Sequence, residues 1–223
     1  MSKLADVVKR VQKLLNVASR SDKPGEAEAA QALAQQLITK YQIEEAQLNK
    51  DNEYNIISVR VETPKPYSID KATLLNSIAL PNFCKVLRGD DYCIVYGTPS
   101  DIVLCTELYK LLSVHMISEM TAKLDKLKET GKVSKEWKKG FFAGYAISIG
   151  ERIKDSKKKT IDEVESTGTS LVLVLRDKQH AIEDYWQQLV RSSGSKRTIK
   201  SITGYKAGKE AAATADLNQT KIE

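Results

Sequence analysis

Apolar residues near the N-terminus recur at the spacing of a helix face. One stripe consists of Leu4, Val7, Val8, Val11, Leu14, Leu15 and Ala18, and a second consists of Ala30, Leu33, Ala34, Leu37 and Tyr41. Each stripe follows the i, i+3, i+4, i+7 pattern of an amphipathic helix. The segment between them contains Pro24 and Gly25, which are typical of a turn. We therefore predict a helical hairpin domain over residues 1–49, which packs on the rest of the chain because it is too small to hold a core alone.

The pattern then changes to short apolar segments that are rich in β-branched and aromatic residues. Such segments predict strands, here residues 56–62, 83–87 and 92–96. The last two flank residues 88–91, whose glycine and aspartates suit the tight turn of a β-hairpin. Between the first strand and the hairpin, Ser68 or Asp70 is placed to cap a helix.

A long helix is predicted after the hairpin. Thr98 is its N-cap, Pro99 occupies the first helical position, and Asp101 stands where a capping-box residue returns to the cap. The helical pattern fades near Gly131. We read this turn as a cap and not as a phosphate site, because an acidic residue in the first turn repels an anion.

A second long helix follows, which Ser134 caps and in which Gly140 and Gly144 permit close contact with another element. The most apolar run of the chain, residues 171–175, has the length of a buried central strand, and Asp177 then caps a short helix. The elements together indicate an α+β fold, with the N-terminal helical hairpin packed on a small, mostly antiparallel sheet that is flanked by long helices.

Composition narrows the class of protein. The chain has 223 residues, of which 41% are hydrophobic and 29% are charged, so wholesale disorder and collagen are excluded. Three cysteines at wide spacing exclude a disulfide scaffold and are expected to be reduced, buried thiols. The chain has no apolar stretch long enough to span a membrane, and its first ten residues lack the apolar block of a signal peptide. We expect a cytoplasmic protein with no membrane partner.

The net charge of +6 is unevenly distributed. Residues 1–110 contain 14 Lys/Arg and 14 Asp/Glu, whereas residues 111–223 contain 21 and 15. We therefore predict that residues 50–223 form an α+β domain with a basic C-terminal segment. The candidate nucleic-acid-binding residues are Lys157, Lys158, Lys159, Arg191, Lys196, Arg197, Lys200, Tyr205, Lys206 and Lys209. Their cations attract phosphates, and the tyrosine is able to stack on a base.

The residue pattern gives little support to catalysis or metal binding. His115 and His180 are the only histidines, and neither CxxC nor HExxH occurs. We expect His115 at the boundary of the core with a hydrogen-bonded ring nitrogen, and His180 in solvent within a first helical turn. No GxSxG elbow occurs, and adjacent carboxylates fall in polar segments. No catalytic residue, metal or cofactor is assigned, although an enzyme with a site assembled from distant residues stays open.

Several segments resemble a known family. In their order, residues 13–18 (KLLNVA), 24–30 (PGEAEAA) and 37–43 (LITKYQI) resemble the N-terminal part of the family catalogued as domain of unknown function 2786. Residues 95–101 (VYGTPSD), 140–144 (GFFAG) and 205–209 (YKAGK) resemble the companion domain that often follows it in bacterial and phage members. The resemblance implies this architecture and a phage or bacterial setting, and it assigns no catalytic residue.

Two classes of function follow as hypotheses, with an enzyme of unknown class as a third. The first is a non-enzymatic phage or bacterial accessory protein that contacts DNA or RNA through its basic C-terminal half. The alternative is a protein that binds and inhibits a host or phage factor, for example in anti-defence. An exposed apolar or aromatic patch would mark this second function.

Overall fold

The computed structural model describes residues 3–20, 33, 36–44, 54–128, 133–165, 171–189 and 199–215. In chain order its elements are α1 (Lys3–Arg20), α2 (residues 36–44), β1 (Ile57–Glu62), α3 (Ser68–Ala79), a 3₁₀ turn (Leu80–Asn82), β2 (Lys85–Arg88), β3 (Tyr92–Gly97), α4 (Pro99–Lys128), α5 (Lys135–Glu165), α6 (Leu171–Leu189) and α7 (Ile202–Thr214). Long helices beside a small antiparallel sheet confirm the predicted α+β fold. Within the described residues, no helix is both long enough and apolar enough to cross a bilayer.

The three strands form one antiparallel sheet in the order β1-β3-β2. In the central strand, Val95 is fully buried and pairs with Val59 of β1 on one side and with Val86 of β2 on the other. β2 and β3 are joined by residues 89–91, so the predicted β-hairpin is confirmed. The face of the sheet that carries Val95 lies against α3 and α4 in the core.

The predicted capping residues of the two longest helices are confirmed. Thr98 directly precedes α4, and its carbonyl oxygen accepts a hydrogen bond from the amide of Ile102 at 3.0 Å. Ser134 precedes α5, and its hydroxyl accepts a hydrogen bond from the amide of Trp137 at 3.1 Å. The side chain of Ser134 thus caps α5 directly, whereas at α4 the Thr98 hydroxyl donates to the Asp101 carboxylate at 2.8 Å.

The predicted cap of α3 is wrong. Tyr67, with a φ of 71°, precedes the helix, whereas Ser68 and Asp70 already lie in its first turn. The Ser68 hydroxyl donates to the carbonyl oxygen of Asp90 in the β-hairpin turn. A tertiary contact therefore uses the side chain that the sequence offered as a cap.

The predicted central strand at residues 171–175 is also wrong, because this run is the beginning of α6. Leucine is a good helix former, and a short apolar run alone does not distinguish a buried strand from a buried helix. Leu175, Lys178 and Ile182 are buried at helical spacing, so α6 presents one inward face to the core. Asp177 is correspondingly an exposed residue inside α6 and does not cap it.

The hairpin helices pack on α4. Val7 and Val11 of α1 and Ile38 of α2 form one buried cluster with Leu104 of α4. This arrangement agrees with the expectation that the hairpin packs on the rest of the chain. The main core is a separate cluster that joins the sheet with α3, α4, α5 and α7.

Helices α5 and α7 approach each other at four glycines, which confirms the close contact predicted at Gly140 and Gly144. A Cβ atom on Gly144 would lie 2.1 Å from a carbonyl oxygen of α7, and one on Gly208 would lie 1.9 Å from a carbonyl oxygen of α5. Cβ atoms on Gly140 and Gly204 would likewise lie 2.6 and 2.1 Å from backbone carbonyl oxygens of the facing segment. We call the contact made by these four glycines the glycine seam. Beyond it, the guanidinium of Arg152 donates to carbonyl oxygens at the C-terminus of α7.

Replacing Gly208 with Ala is expected to lower the free energy of unfolding by about 2 kcal/mol, although Ala is the better helix former. The new methyl group meets the backbone of α5, which has no side-chain freedom with which to move aside. Urea denaturation measures the change. As a control, Ala213→Gly at an exposed position of α7 should cost no more than about 1 kcal/mol. A Gly208→Ala variant as stable as the wild type would contradict this packing.

Candidate functional site

A buried ion pair links three helices at the N-terminus of α4. The ammonium of Lys178 in α6 lies 2.7 Å from Asp101 Oδ2, and both side chains are 0% exposed. Asp101 Oδ1 accepts a hydrogen bond from Gln42 Nε2 of α2 at 2.8 Å, and Thr98 Oγ1 donates to Oδ2 at 2.8 Å. A carboxylate is tolerated in a core only when it is paired and hydrogen-bonded in this way. The predicted capping residue therefore also holds α2 and α6 to α4.

A second buried lysine, Lys157 of α5, lies near this ion pair. Its ammonium donates to the carbonyl oxygen of Pro81 at 2.7 Å and lies 3.3 Å from the centroid of the Phe83 ring. Burial lowers the pKa of Lys157 to about 7, and the nearby Asp101 carboxylate opposes this change. A lysine that is partly neutral at pH 7 is a competent base or nucleophile in an open site. Here it is 7% exposed and packs against Phe83, so we assign it to the core.

The cysteines are buried and free, as predicted. Cys105 of α4 donates to the sulfur of Cys84, which precedes β2, and their Sγ atoms are 3.7 Å apart. The hydrogen bond from Cys105 and burial together raise the pKa of Cys84 well above its usual value. Burial also raises the pKa of Cys93 in β3. Thiols with a raised pKa are poor nucleophiles, so Cys84 and Cys93 serve as packing residues, and Cys105 is buried beside Cys84.

The two histidines differ in environment. His115 is half-buried, and its Nδ1 lies 2.9 Å from the hydroxyl of Tyr145, which confirms the predicted boundary position. Burial lowers the pKa of His115. His180 is exposed as expected, but it lies in the middle of α6 and not in a first helical turn. In the part of the chain that the structure describes, no group of three His, Cys, Asp or Glu residues is placed to hold a metal ion.

The basic residues of α5 that the sequence singles out fall in different environments. Lys157 is buried, as described above, and its ammonium is not available to a phosphate. Lys158 and Lys159 are exposed, but Asp155 and Asp162 lie three or four residues from both on the same side of the helix. The charge of this face is therefore locally balanced.

The other candidates lie on or before α7. Lys200, Lys206 and Lys209 are exposed, and the ammonium of Lys209 is 3.7 Å from a carboxylate oxygen of Glu151. Tyr205 is half-buried beside the glycine seam. Three candidates fall outside the described residues: Arg191, Lys196 and Arg197. Lys206 and Lys209 thus lie on α7 and Lys200 just before it, whereas Lys158 and Lys159 lie on α5.

Sequence reasoning missed a groove between α1 and α2, which we call the cationic groove. Its main cavity has a volume of about 480 Å³ and is lined by three leucines, three cations and one amide: Leu14, Leu33, Leu37, Arg10, Lys13, Lys40 and Gln36. An adjoining cavity of about 310 Å³ shares Arg10, Leu37 and Lys40 and extends to the ion pair between Lys3 and Glu44. The stripe pattern predicts that these leucines pack inside the hairpin, and it gives no sign that they line a groove. The charges of residues 1–110 sum to zero, so the net charge of this half gives no sign that cations gather in the groove.

Removing one partner of the buried ion pair should be strongly destabilising. We expect Lys178→Met or Asp101→Asn to cost about 3–5 kcal/mol, because each leaves the other charge buried without its partner. The double variant removes both charges and should cost clearly less than the sum of the single variants. Urea denaturation of the four proteins measures the coupling, and strictly additive costs would contradict it.

The buried ammonium of Lys157 should make stability depend on pH. Its pKa is about 7 in the folded protein and 10.5 in its ordinary state, so the unfolded chain binds more protons between these values. Stability therefore rises with pH in this window, by on the order of 1 kcal/mol between about pH 7 and 8.5. Urea midpoints of Lys157→Met should lack this rise, whereas the exposed control Lys158→Met should keep it. Parallel pH profiles for wild type and Lys157→Met would refute the assignment.

Comparison with known proteins gives one match. Residues 6–45 match the family described as a protein of unknown function, DUF2786. The match does not extend to the proposed companion segments, and neither a curated protein nor a solved structure matches the chain. The matched residues include Gln42, which meets Asp101, and every residue of the main cavity of the cationic groove. The resemblance is thereby confirmed for the helical hairpin, which is the part of this chain that is similar to DUF2786.

Proposed function

We propose that the protein is a non-enzymatic accessory protein that contacts DNA or RNA through its basic C-terminal half. The observation that carries this proposal is the surface of α7. Lys206 is exposed on the helix and Lys200 just before it, Lys209 is exposed but lies 3.7 Å from a Glu151 carboxylate oxygen, and the first turn of the helix contains no acidic residue. The Ser201 hydroxyl already accepts a hydrogen bond from the Gly204 amide in the first turn, so the attraction for a polyanion comes from the lysine side chains.

The sequence before α7 supports the same region. Residues 191–209 contain Arg191, Lys196, Arg197, Lys200, Lys206 and Lys209 without an intervening acid. Lysine contacts to phosphate are the same for every base sequence. We therefore expect binding that depends on salt and is indifferent to base sequence. The face of Lys158 and Lys159 should contribute less, because aspartates balance it.

The test is a titration of a labelled duplex and a labelled single strand at several salt concentrations. Affinity should fall steeply as salt rises, because each lysine contact releases counterions from the nucleic acid. Lys200→Glu/Lys206→Glu should reduce the salt slope by about 2 and weaken binding on the order of tenfold. Fluorescence anisotropy measures both quantities.

The control is Lys110→Glu/Lys126→Glu, which makes the same charge change at exposed positions of α4. Its affinity should be reduced much less than that of the α7 variant. Binding that is insensitive to salt, or that responds equally to both double variants, would refute a nucleic-acid surface at α7.

A further inference from the structure

The cationic groove has different chemistry along its length. At one end, Arg10, Lys13 and Lys40 surround an apolar floor of leucines. At the other end, Lys3 is paired with Glu44 at 2.8 Å and Asp6 adds a second carboxylate, so the positive charge does not extend to that end. A ligand that fits this groove therefore needs an apolar side along its full length and negative charge towards one end.

The groove is long enough to fit an elongated ligand along α1. The two cavities share Arg10, Leu37 and Lys40, and together they follow α1 from Lys3 to Leu14. At 1.5 Å per residue this distance is about 16 Å, which equals about three turns of a ligand helix. Compact ligands would fill only part of it.

The leucines of the groove are placed to contact a partner. Leu33 is 51% exposed, and Leu14 and Leu37 lie at the edge of the cluster that attaches the hairpin to α4. The deeply buried contacts of that cluster are made by other residues, including Val11 and Ile38. An exposed leucine beside two half-buried ones leaves an apolar surface that a partner is able to cover.

We infer that the cationic groove binds an acidic amphipathic helix of a partner protein. Apolar side chains of the partner, spaced at i, i+3, i+4 and i+7, pack on Leu14, Leu33 and Leu37, as in other helix-in-groove complexes. Carboxylates on the flank of the same helix meet the cations at the basic end. A nucleic acid has the required charge but no apolar side chains for the leucines, so the observations favour a protein.

This inference is independent of the proposed nucleic-acid surface. The groove lies on α1 and α2, whereas that surface lies on α7. Variants of the groove therefore test peptide binding without changing the nucleic-acid surface, and variants near α7 do the reverse.

The test uses the full chain and a fluorescein-labelled helical peptide of about 18 residues, with leucines on one face and glutamates on the flank. A matched peptide carries lysines in place of the glutamates. Fluorescence anisotropy should show binding of the acidic peptide and on the order of tenfold weaker binding of the basic one.

Variants of the groove should reduce binding of the acidic peptide. Arg10→Glu/Lys13→Glu should weaken it on the order of tenfold or more, and Leu33→Ser by about fivefold, because the leucine loses its apolar contact. Lys126→Glu, on the exposed side of α4, should stay within about twofold of the wild type. Circular dichroism verifies folding, and Lys40→Glu replaces the double variant if that variant is unfolded.

Several outcomes would overturn the inference. The first is absence of binding by the acidic peptide. The second is binding that is unchanged in Leu33→Ser, because the groove would then act only as a charged surface. The third is displacement of the peptide by a DNA duplex or by phosphatidylglycerol vesicles whose own binding also requires Leu33. The fourth is self-association of the chain through the groove, detected by sedimentation and abolished by Leu33→Ser.

Discussion

The Asp101 carboxylate constrains the arrangement of the whole molecule. A fully buried charge needs an opposite charge and hydrogen-bond donors, and the chain supplies them from three different elements. Lys178 comes from α6 and Gln42 from α2, whereas Thr98 belongs to the same capping turn as the aspartate. Because Gln42, Asp101 and Lys178 are far apart in sequence, the complete set of contacts to Asp101 forms only when the hairpin, α4 and α6 are all in place. It therefore specifies how these helices are assembled.

The same region contains a second buried lysine, which no carboxylate in the described part of the chain contacts. Lys157 has the carbonyl oxygen of Pro81 and the face of Phe83 as partners, and its pKa is lowered to about 7. Lys178 has the Asp101 carboxylate as its partner, whereas burial of Lys157 without such a contact among the described residues lowers its pKa and so reduces the cost of burying it. Two lysines in one core are thus accommodated with a single buried carboxylate between them.

Local signals in the sequence predicted much of the fold. The cap at Thr98, the β-hairpin turn and the close approach at Gly140 and Gly144 each depend on a few adjacent residues, and each is confirmed. The strand predicted at residues 171–175 failed because tertiary packing, and not the short apolar run, decides between strand and helix.

The site residues were harder to predict, because exposure depends on the assembled fold. Lys157 is the first of three consecutive lysines, which the sequence does not distinguish. Its position on α5 faces the core, whereas the next two positions face solvent. The cationic groove arises from two helices whose charges cancel in a count over the chain. A helical projection of Arg10 and Lys13 beside Leu14, compared with Lys40 beside Leu37, is the signal that would have found it.

The glycine seam has a consequence for synthesis of the protein. The face of α5 that carries Gly140 and Gly144 is covered by α7, which leaves the ribosome about 60 residues later. At ordinary rates of translation this delay is about 3–12 s. During that interval the nascent chain holds an incomplete core, and molecular chaperones have access to a surface that the finished protein never displays.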